Sequence, residues 1–128
     1  MTKLYEEEFY LISNQSNVEQ RVLFSSMLDG ALILFPSTHQ CRKILNKTSY
    51  ELGKQLEPIV ATSSIESILK LVRSGVGRSV VSRTLCEFYD TEDLFFQHIE
   101  KPSLTRAVYL VMKKNGFINY AARKYIKY

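Results

Sequence analysis

Apolar residues recur along this chain in two rhythms. Phe9-Tyr10-Leu11-Ile12 is a run of aromatic and aliphatic residues stopped by Ser13-Asn14-Gln15-Ser16-Asn17, which reads as a strand and its terminator. Val18 to Met27 is weakly patterned, a short helix or a loop, and Asp29-Gly30 closes it as a turn. Ala31-Leu32-Ile33-Leu34-Phe35 is continuously apolar, as strands are when helices cover both faces of a parallel sheet. From Ser37 to Leu52 the spacing changes: Cys41, Ile44, Leu45, Thr48 and Leu52 fall at three- and four-residue steps on one helical face, and Gly53 is placed to end it. Gln55 to Ala61 reads as the next strand, with Pro58 pointing to an edge or a bend.

Ser64 to Arg73 carries the clearest stripe, formed by Ile65, Ile68, Leu69 and Val72 and terminated at Gly75. Ser79-Val80-Val81 is a short strand, Thr84 to Tyr89 a helical turn, and Phe95 to Ile99 and Ala107 to Met112 further strands. Phe117 to Tyr128 reads as an amphipathic helix, with Phe117, Ala121 and Tyr125 near one face. Strands alternating with helices imply an α/β layer structure with a mostly parallel sheet flanked by helices.

Two strand-to-helix turns stand out. Pro36-Ser37-Thr38-His39-Gln40 and Thr62-Ser63-Ser64-Ile65-Glu66 each contain a capping-box pattern, Ser37 with Gln40 and Ser63 with Glu66. Taken singly, each is an ordinary helix start. In a parallel sheet both would open on the edge where such sheets bind ligands. Free N–H groups, hydroxyls and two helix dipoles there suit a small anion, whether a carboxylate, phosphate or sulfate. His39 titrates near neutral pH, and as a cation it would be disfavoured in a first helical turn. Arg42 either supplies charge to that edge or is a surface or ion-paired arginine. Gly75-Val76-Gly77 follows a helix rather than opening one, so it is weak support for a nucleotide site.

Composition excludes more than it assigns. The 128 residues are 45% hydrophobic and 23% charged, ordinary for one globular domain. The net charge of +4 is dispersed; Lys113-Lys114 and the tail Arg123-Lys124 with Lys127 are its densest groups, and no run resembles a nucleic-acid arm. The tail reads as a solvated helix face. Cys41 and Cys86 belong to no metal or redox spacing and read as reduced, buried thiols. No cofactor or metal is expected. No catalytic constellation has recognisable local context, so an enzyme is not expected. The start of the chain carries Glu6-Glu7-Glu8 and no signal-like apolar region, and no run approaches the ~18 residues of a membrane span, so a cytoplasmic protein without membrane contact is expected.

Taken in order, these segments resemble the regulatory domain of the LysR-type transcriptional regulators. The stretch from Ser63 to Val81 is similar to that family's serine-start helix, its Gly-x-Gly turn (Gly75-Val76-Gly77) and the short strand that follows. Leu4-Tyr5-Glu6-Glu7-Glu8-Phe9-Tyr10-Leu11-Ile12 is similar to its crossover strand, and Leu32-Ile33-Leu34-Phe35-Pro36-Ser37 with Arg42 to its strand, serine turn and arginine. Arg106 to Lys114 resembles the returning crossover strand and Ala121 to Ile126 the closing helix. Three places depart from the family pattern: Ser82 where proline is common, Arg78 where an apolar residue is usual, and Asn14-Gln15-Ser16-Asn17 where a His-Pro segment is usual.

The resemblance implies a lobe of the type II periplasmic-binding-protein-like fold. The crossover strand would span about 4–13, the second lobe about 14–103, and the returning strand and closing helix about 104–128. The DNA-binding domain would lie outside this chain. It implies a sensor for a small anionic metabolite, held at Ser37, Thr38, His39, Arg42, Thr62, Ser63, Gly75, Val76 and Gly77. It also implies a homodimer that meets DNA only through the other domain. A stand-alone periplasmic-type solute-binding protein and a dimerisation module without ligand remain the alternatives.

Overall fold

A computed structural model describes the backbone of residues 2–112 and 118–127, and side chains within residues 5–107 apart from Leu85. Among the described residues twelve elements follow in order: β1 (Thr2–Ser13), β2 (Arg21–Leu23), α1 (Phe24–Met27), β3 (Ile33–Leu34), α2 (Gln40–Glu51), β4 (Val60–Ala61), α3 (Ile65–Arg73), β5 (Ser79–Ser82), α4 (Arg83–Cys86), β6 (Phe95–Glu100), β7 (Ser103–Met112) and β8 (Ile118–Lys127).

β1 is the common member of two strand arrays. Its second half lies between β5 and β6, antiparallel to both, so that Tyr10 faces Val81 on one side and His98 on the other. Beyond β6, β2 runs parallel to it. Beyond β5, a parallel bridge from Leu32 to Arg78 brings in β3, which is parallel to β4. The row therefore reads β4-β3-β5-β1-β6-β2, with β1 running against all the others. The parallel arrangement expected from the apolar runs holds for the other five strands of this row, while the antiparallel ladders of β1 make the sheet as a whole mixed. The first half of β1 pairs instead with β7, with Glu7 opposite Arg106 and Glu8 opposite Thr105.

The apolar runs are short as strands because tight ladders fix them. Ile33 N–H donates to Arg78 O at 2.8 Å, and Arg78 N–H donates to Ala31 O at 2.9 Å. On the other edge of β3, Ile59 and Thr62 N–H donate to the Leu32 and Leu34 carbonyls. Leu32, Ile33, Leu34 and Phe35 are all buried, as a strand covered on both faces requires. Ile68, Leu69 and Val72 of the α3 stripe and Cys41, Ile44 and Leu45 of α2 complete one core with Phe9, Leu11, Ile12, Val80 and Val81. Both cysteines are free and buried.

The tail differs from its reading as a helix. Residues Ile118–Lys127 form β8, antiparallel to β7 over ten paired positions from Ser103–Lys127 to Met112–Ile118. The segment supports both periods. Ile118, Tyr120, Ala122 and Ile126 share one strand face, interrupted by Lys124, and its tyrosines and isoleucines favour strands. An open edge of β7 then decides between the two, because a strand there satisfies both backbones. Phe117, Lys113 and Lys114 lie outside the described residues.

Gly75 and Gly77 explain the turn between α3 and β5. Gly75 has φ +78°, in the left-handed region that ends helices, and its N–H donates to Val72 O. At Gly77 a Cβ would stand 2.9 Å from the Ala31 carbonyl oxygen, which is held in the β3 ladder. Gly77→Ala is therefore expected to destabilise the fold by about 1–3 kcal/mol, the range of an overpacked site. Urea unfolding of the variant would measure this; a loss under about 0.5 kcal/mol, the size of an ordinary surface change, would contradict it.

Candidate functional site

The helix starts are built differently from the capping boxes read in the sequence. Pro36 begins a turn in which His39 N–H donates back to Pro36 O at 2.9 Å, so Ser37 and Thr38 are spent in the turn and stand exposed. The helix cap is His39. Its Nδ1 accepts from Cys41 N–H at 3.2 Å, and its carbonyl receives the first helical bond from Lys43. At α3 the cap is Ser64, whose Oγ accepts from Ser67 N–H at 3.2 Å, while Thr62 Oγ1 accepts from Ser64 N–H at 3.3 Å. Ser63 is exposed beside them. In both cases several side-chain acceptors within three residues compete for one cap, and the turn that precedes the helix decides which wins.

Arg42 does not reach out from α2. Its Nη1 donates to Phe35 O at 2.9 Å and its Nε to Asn46 Oδ1 at 3.0 Å, which ties the helix to the end of β3. The Gly75–Gly77 turn precedes β5, whereas the His39 and Thr62 turns follow β3 and β4. Because those strands are parallel, the glycine turn lies at the opposite edge of the sheet. There it borders a separate cavity of ≈ 350 Å³ with Asn14, Gln15, Gly30 and Arg78. Arg78 donates to Met27 O at 3.1 Å across Gly30, where an added Cβ would collide with its guanidinium. The unusual arginine thus has a structural use: it satisfies a carbonyl at the end of α1.

The cavity at the expected edge is ≈ 340 Å³ and is lined from several elements. β1 contributes Tyr5, Glu7 and Phe9, alternate residues that share one face of a strand. The turn after β3 contributes Phe35 and His39, and the start of α2 contributes Cys41. The end of β5 and the α4 segment contribute Ser82, Thr84 and Phe88, and β7 contributes Arg106. Among the residues expected from sequence, His39 alone lines it; Ser37, Thr38, Arg42, Thr62 and Ser63 do not.

Its chemistry is an ion pair set among rings. Glu7 and Arg106 occupy directly opposed positions of β1 and β7, and their side chains form a largely buried ion pair. The Arg106 guanidinium also lies 5.8 Å from the centre of the Phe9 ring. Phe35 and His39 stack with centroids 3.9 Å apart and planes 9° from parallel. Tyr5 at 44% and Phe88 at 79% exposure form an open apolar rim. Burial lowers the His39 pKa from 6.5, and the Arg106 charge acts in the same direction. Burial pushes the Cys41 thiol up to about 12, so it offers no thiolate at neutral pH.

The other face of β1 holds a second polar group. Glu8 meets His98 Nε2 and accepts from the Tyr10 hydroxyl, while Arg83 lies over the Tyr10 and Phe96 rings. The alternation that sends Glu7 into the cavity sends Glu8 away from it. The Glu6-Glu7-Glu8 run carries that division in plain sight, but only the pairing partner across β7 shows which carboxylate is buried.

The family model described as the LysR substrate binding domain matches residues 1–128. A search of curated protein sequences returns no significant match. Among solved structures, the chain is similar to the effector binding domain of QuiR in complex with shikimate, with TM-score 0.67 and 16% identity over 96% of this chain and 54% of that one. It is similar to the regulatory domain of CcmR from Synechocystis in complex with 2-PG, with TM-score 0.67 and 14% identity over 78% and 50%. It also resembles full-length CbnR complexed with its target DNA, with TM-score 0.63 and 12% identity over 98% and 40%. The chain thus spans between 40% and 54% of the length of these solved chains, two of which are themselves single domains.

His39 couples the site to pH. The unfolded ring has its ordinary pKa of 6.5 and the folded ring a lower one, so below about pH 6.5 the unfolded chain binds a proton that the folded chain refuses. Stability should therefore fall as pH drops through 6.5 toward the folded value. His39→Asn keeps a cap acceptor but does not titrate, and its melting temperature should fall less between about pH 7.5 and 5.5 than that of the parent. Equal falls in the two proteins would show that His39 carries no such linkage. The end-to-end match of the family model, together with a lobe of the expected type II binding-protein-like architecture, places the chain: it belongs to the LysR substrate binding domain family.

Proposed function

We propose that this chain is the effector-sensing part of a LysR-type transcriptional regulator, and that its effector occupies the cavity between Glu7, Phe9, Phe35, His39 and Arg106. The carrying observation is the position of that cavity. It lies where parallel strands end, the usual ligand edge of such sheets, and it is walled on the far side by β1 and β7. Its volume of ≈ 340 Å³ falls in the range of small-molecule pockets. The QuiR and CcmR domains, which share the fold, were solved with shikimate and with 2-PG.

In this reading the carboxylate expected of the effector is met by Arg106 rather than by the two helix starts, whose hydroxyls are occupied as caps or stand exposed. The effector changes the balance between two arrangements of the regulator by binding one of them more tightly. DNA contact belongs to a part of the regulator outside this chain, as the resemblance to DNA-bound CbnR suggests. No helix of the described residues is long and apolar enough to cross a membrane, which fits a cytoplasmic regulator. Catalysis has no place in this reading, and the buried Cys41 thiol supplies no nucleophile. A homodimer fits the open edge strand β2, where Leu23 is 41% exposed.

A thermal-shift screen of small carboxylates, sugar acids, phosphates and amino acids, run with light scattering, tests the reading. At least one compound at 100 times its Kd should stabilise the protein by about 2.7 kcal/mol, and Phe35→Ala should abolish that shift. The scattering mass should correspond to two chains. A screen in which nothing binds, or in which binding ignores Phe35, would overturn the assignment of the cavity; a monomeric mass would overturn the dimer.

A further inference from the structure

The cavity has a balance of charge that narrows its ligand. Glu7 and Arg106 both line it, and both are placed by the β1–β7 ladder rather than by flexible loops. Their side chains are 9% and 19% exposed. The pair contributes one negative and one positive charge. His39 is neutral above pH 6.5, so the lining carries no net charge there. A monoanion bound beside this pair would leave a net negative charge in a poorly solvated space, and a monocation a net positive one. Either is disfavoured where charges are weakly screened.

Arg106 also keeps terminal guanidinium donors beyond the one that Glu7 engages. Glu7 engages the guanidinium through Oε2 and Arg106 Nη2. A ligand carboxylate would accept from the terminal guanidinium N–H groups that Glu7 leaves unused, since arginine offers five donors in a fixed fork. An ammonium group on the same ligand would donate to the Glu7 carboxylate. The four charges then alternate, and the native ion pair need not break.

We propose that the ligand is a zwitterionic α-amino acid with a flat or bulky apolar side chain: its carboxylate on Arg106, its ammonium on Glu7 and its side chain against Phe9, Phe35 and Phe88. The rings supply the apolar wall, and the exposed Phe88 at the rim gains cover when the side chain arrives. This rests on the cavity being the effector site, and it names the class of effector.

Calorimetric titration of this chain with three probes decides it: L-phenylalanine, 3-phenylpropionate, which lacks the ammonium, and phenethylamine, which lacks the carboxylate. L-phenylalanine should bind, and each analogue should bind roughly 100-fold more weakly, because each brings a net charge into the cavity and forgoes one charge-assisted contact. In Glu7→Gln the order should reverse, with 3-phenylpropionate binding at least as tightly as L-phenylalanine. If 3-phenylpropionate equals L-phenylalanine on the parent protein, the zwitterion proposal fails while the sensor reading stands. It fails in the same way if another class of metabolite binds in a Phe35-dependent manner and none of the three probes does. If nothing binds in either experiment, both readings fall. The parent-protein comparison decides the matter even where Glu7→Gln does not fold.

Discussion

Strand β1 must satisfy backbone partners on two sides and in two arrays at once. Residues Phe9–Ile12 are bonded to β5, Tyr10–Ser13 to β6, and Thr2–Glu8 to β7. A slip of one residue would move Phe9 and Leu11 to the other face and bring Ile12, Tyr10 and Glu8 into their places. Nothing in the molecule could absorb that exchange. Phe9, Leu11 and Ile12 are all buried in the core, and Glu7 has its arginine directly across the ladder. The register of one strand thus positions the hydrophobic core, the cavity wall and the ion pair together. The pair itself is placed by the backbone, and only the last bonds of each side chain remain to be set by its surroundings.

This accounts for what was legible in the sequence and what was not. The run from Ala31 to Phe35 and the stripe Ile65, Ile68, Leu69, Val72 announce their elements because burial enforces period and hydrophobicity directly. The α/β order and the family resemblance follow from such elements. The caps were less legible. Ser37-Thr38-His39 and Thr62-Ser63-Ser64 each offer several hydrogen-bond acceptors, and the turn at Pro36 moves the helix start on to His39. The tail was ambiguous for a different reason: its residues suit either period, and the edge of β7 is a tertiary fact. The cavity was the least legible. Tyr5, Glu7 and Phe9 come from one strand and Arg106 from another, about a hundred positions away, and only the antiparallel register joins them. The Gly75–Gly77 turn shows the reverse case. It belongs to the recognised motif, yet parallel topology puts it at the far edge, where it serves the close approach to Ala31.

The electrostatics of the cavity follow from the same geometry. An anion site built from helix N-termini would present backbone N–H donors and no carboxylate. This cavity instead holds one carboxylate and one guanidinium on adjacent strands, with a stacked Phe35–His39 wall beside them. Such a site selects by charge arrangement more than by charge sign. It also sits on a strand whose two halves serve different partners, so a ligand that tightens the β1–β7 contact acts where the two arrays join.

The claim that the ligand is held on the β1–β7 strand pair is tested most directly by backbone amide NMR of this chain during titration with L-phenylalanine. The account predicts that the largest shifts cluster at Glu7, Phe9, His39 and Arg106, while Gly75–Gly77 at the opposite edge stay unmoved. Shifts centred on Gly75–Gly77 or on Thr62–Ser64, with Glu7 and Arg106 silent, would contradict it.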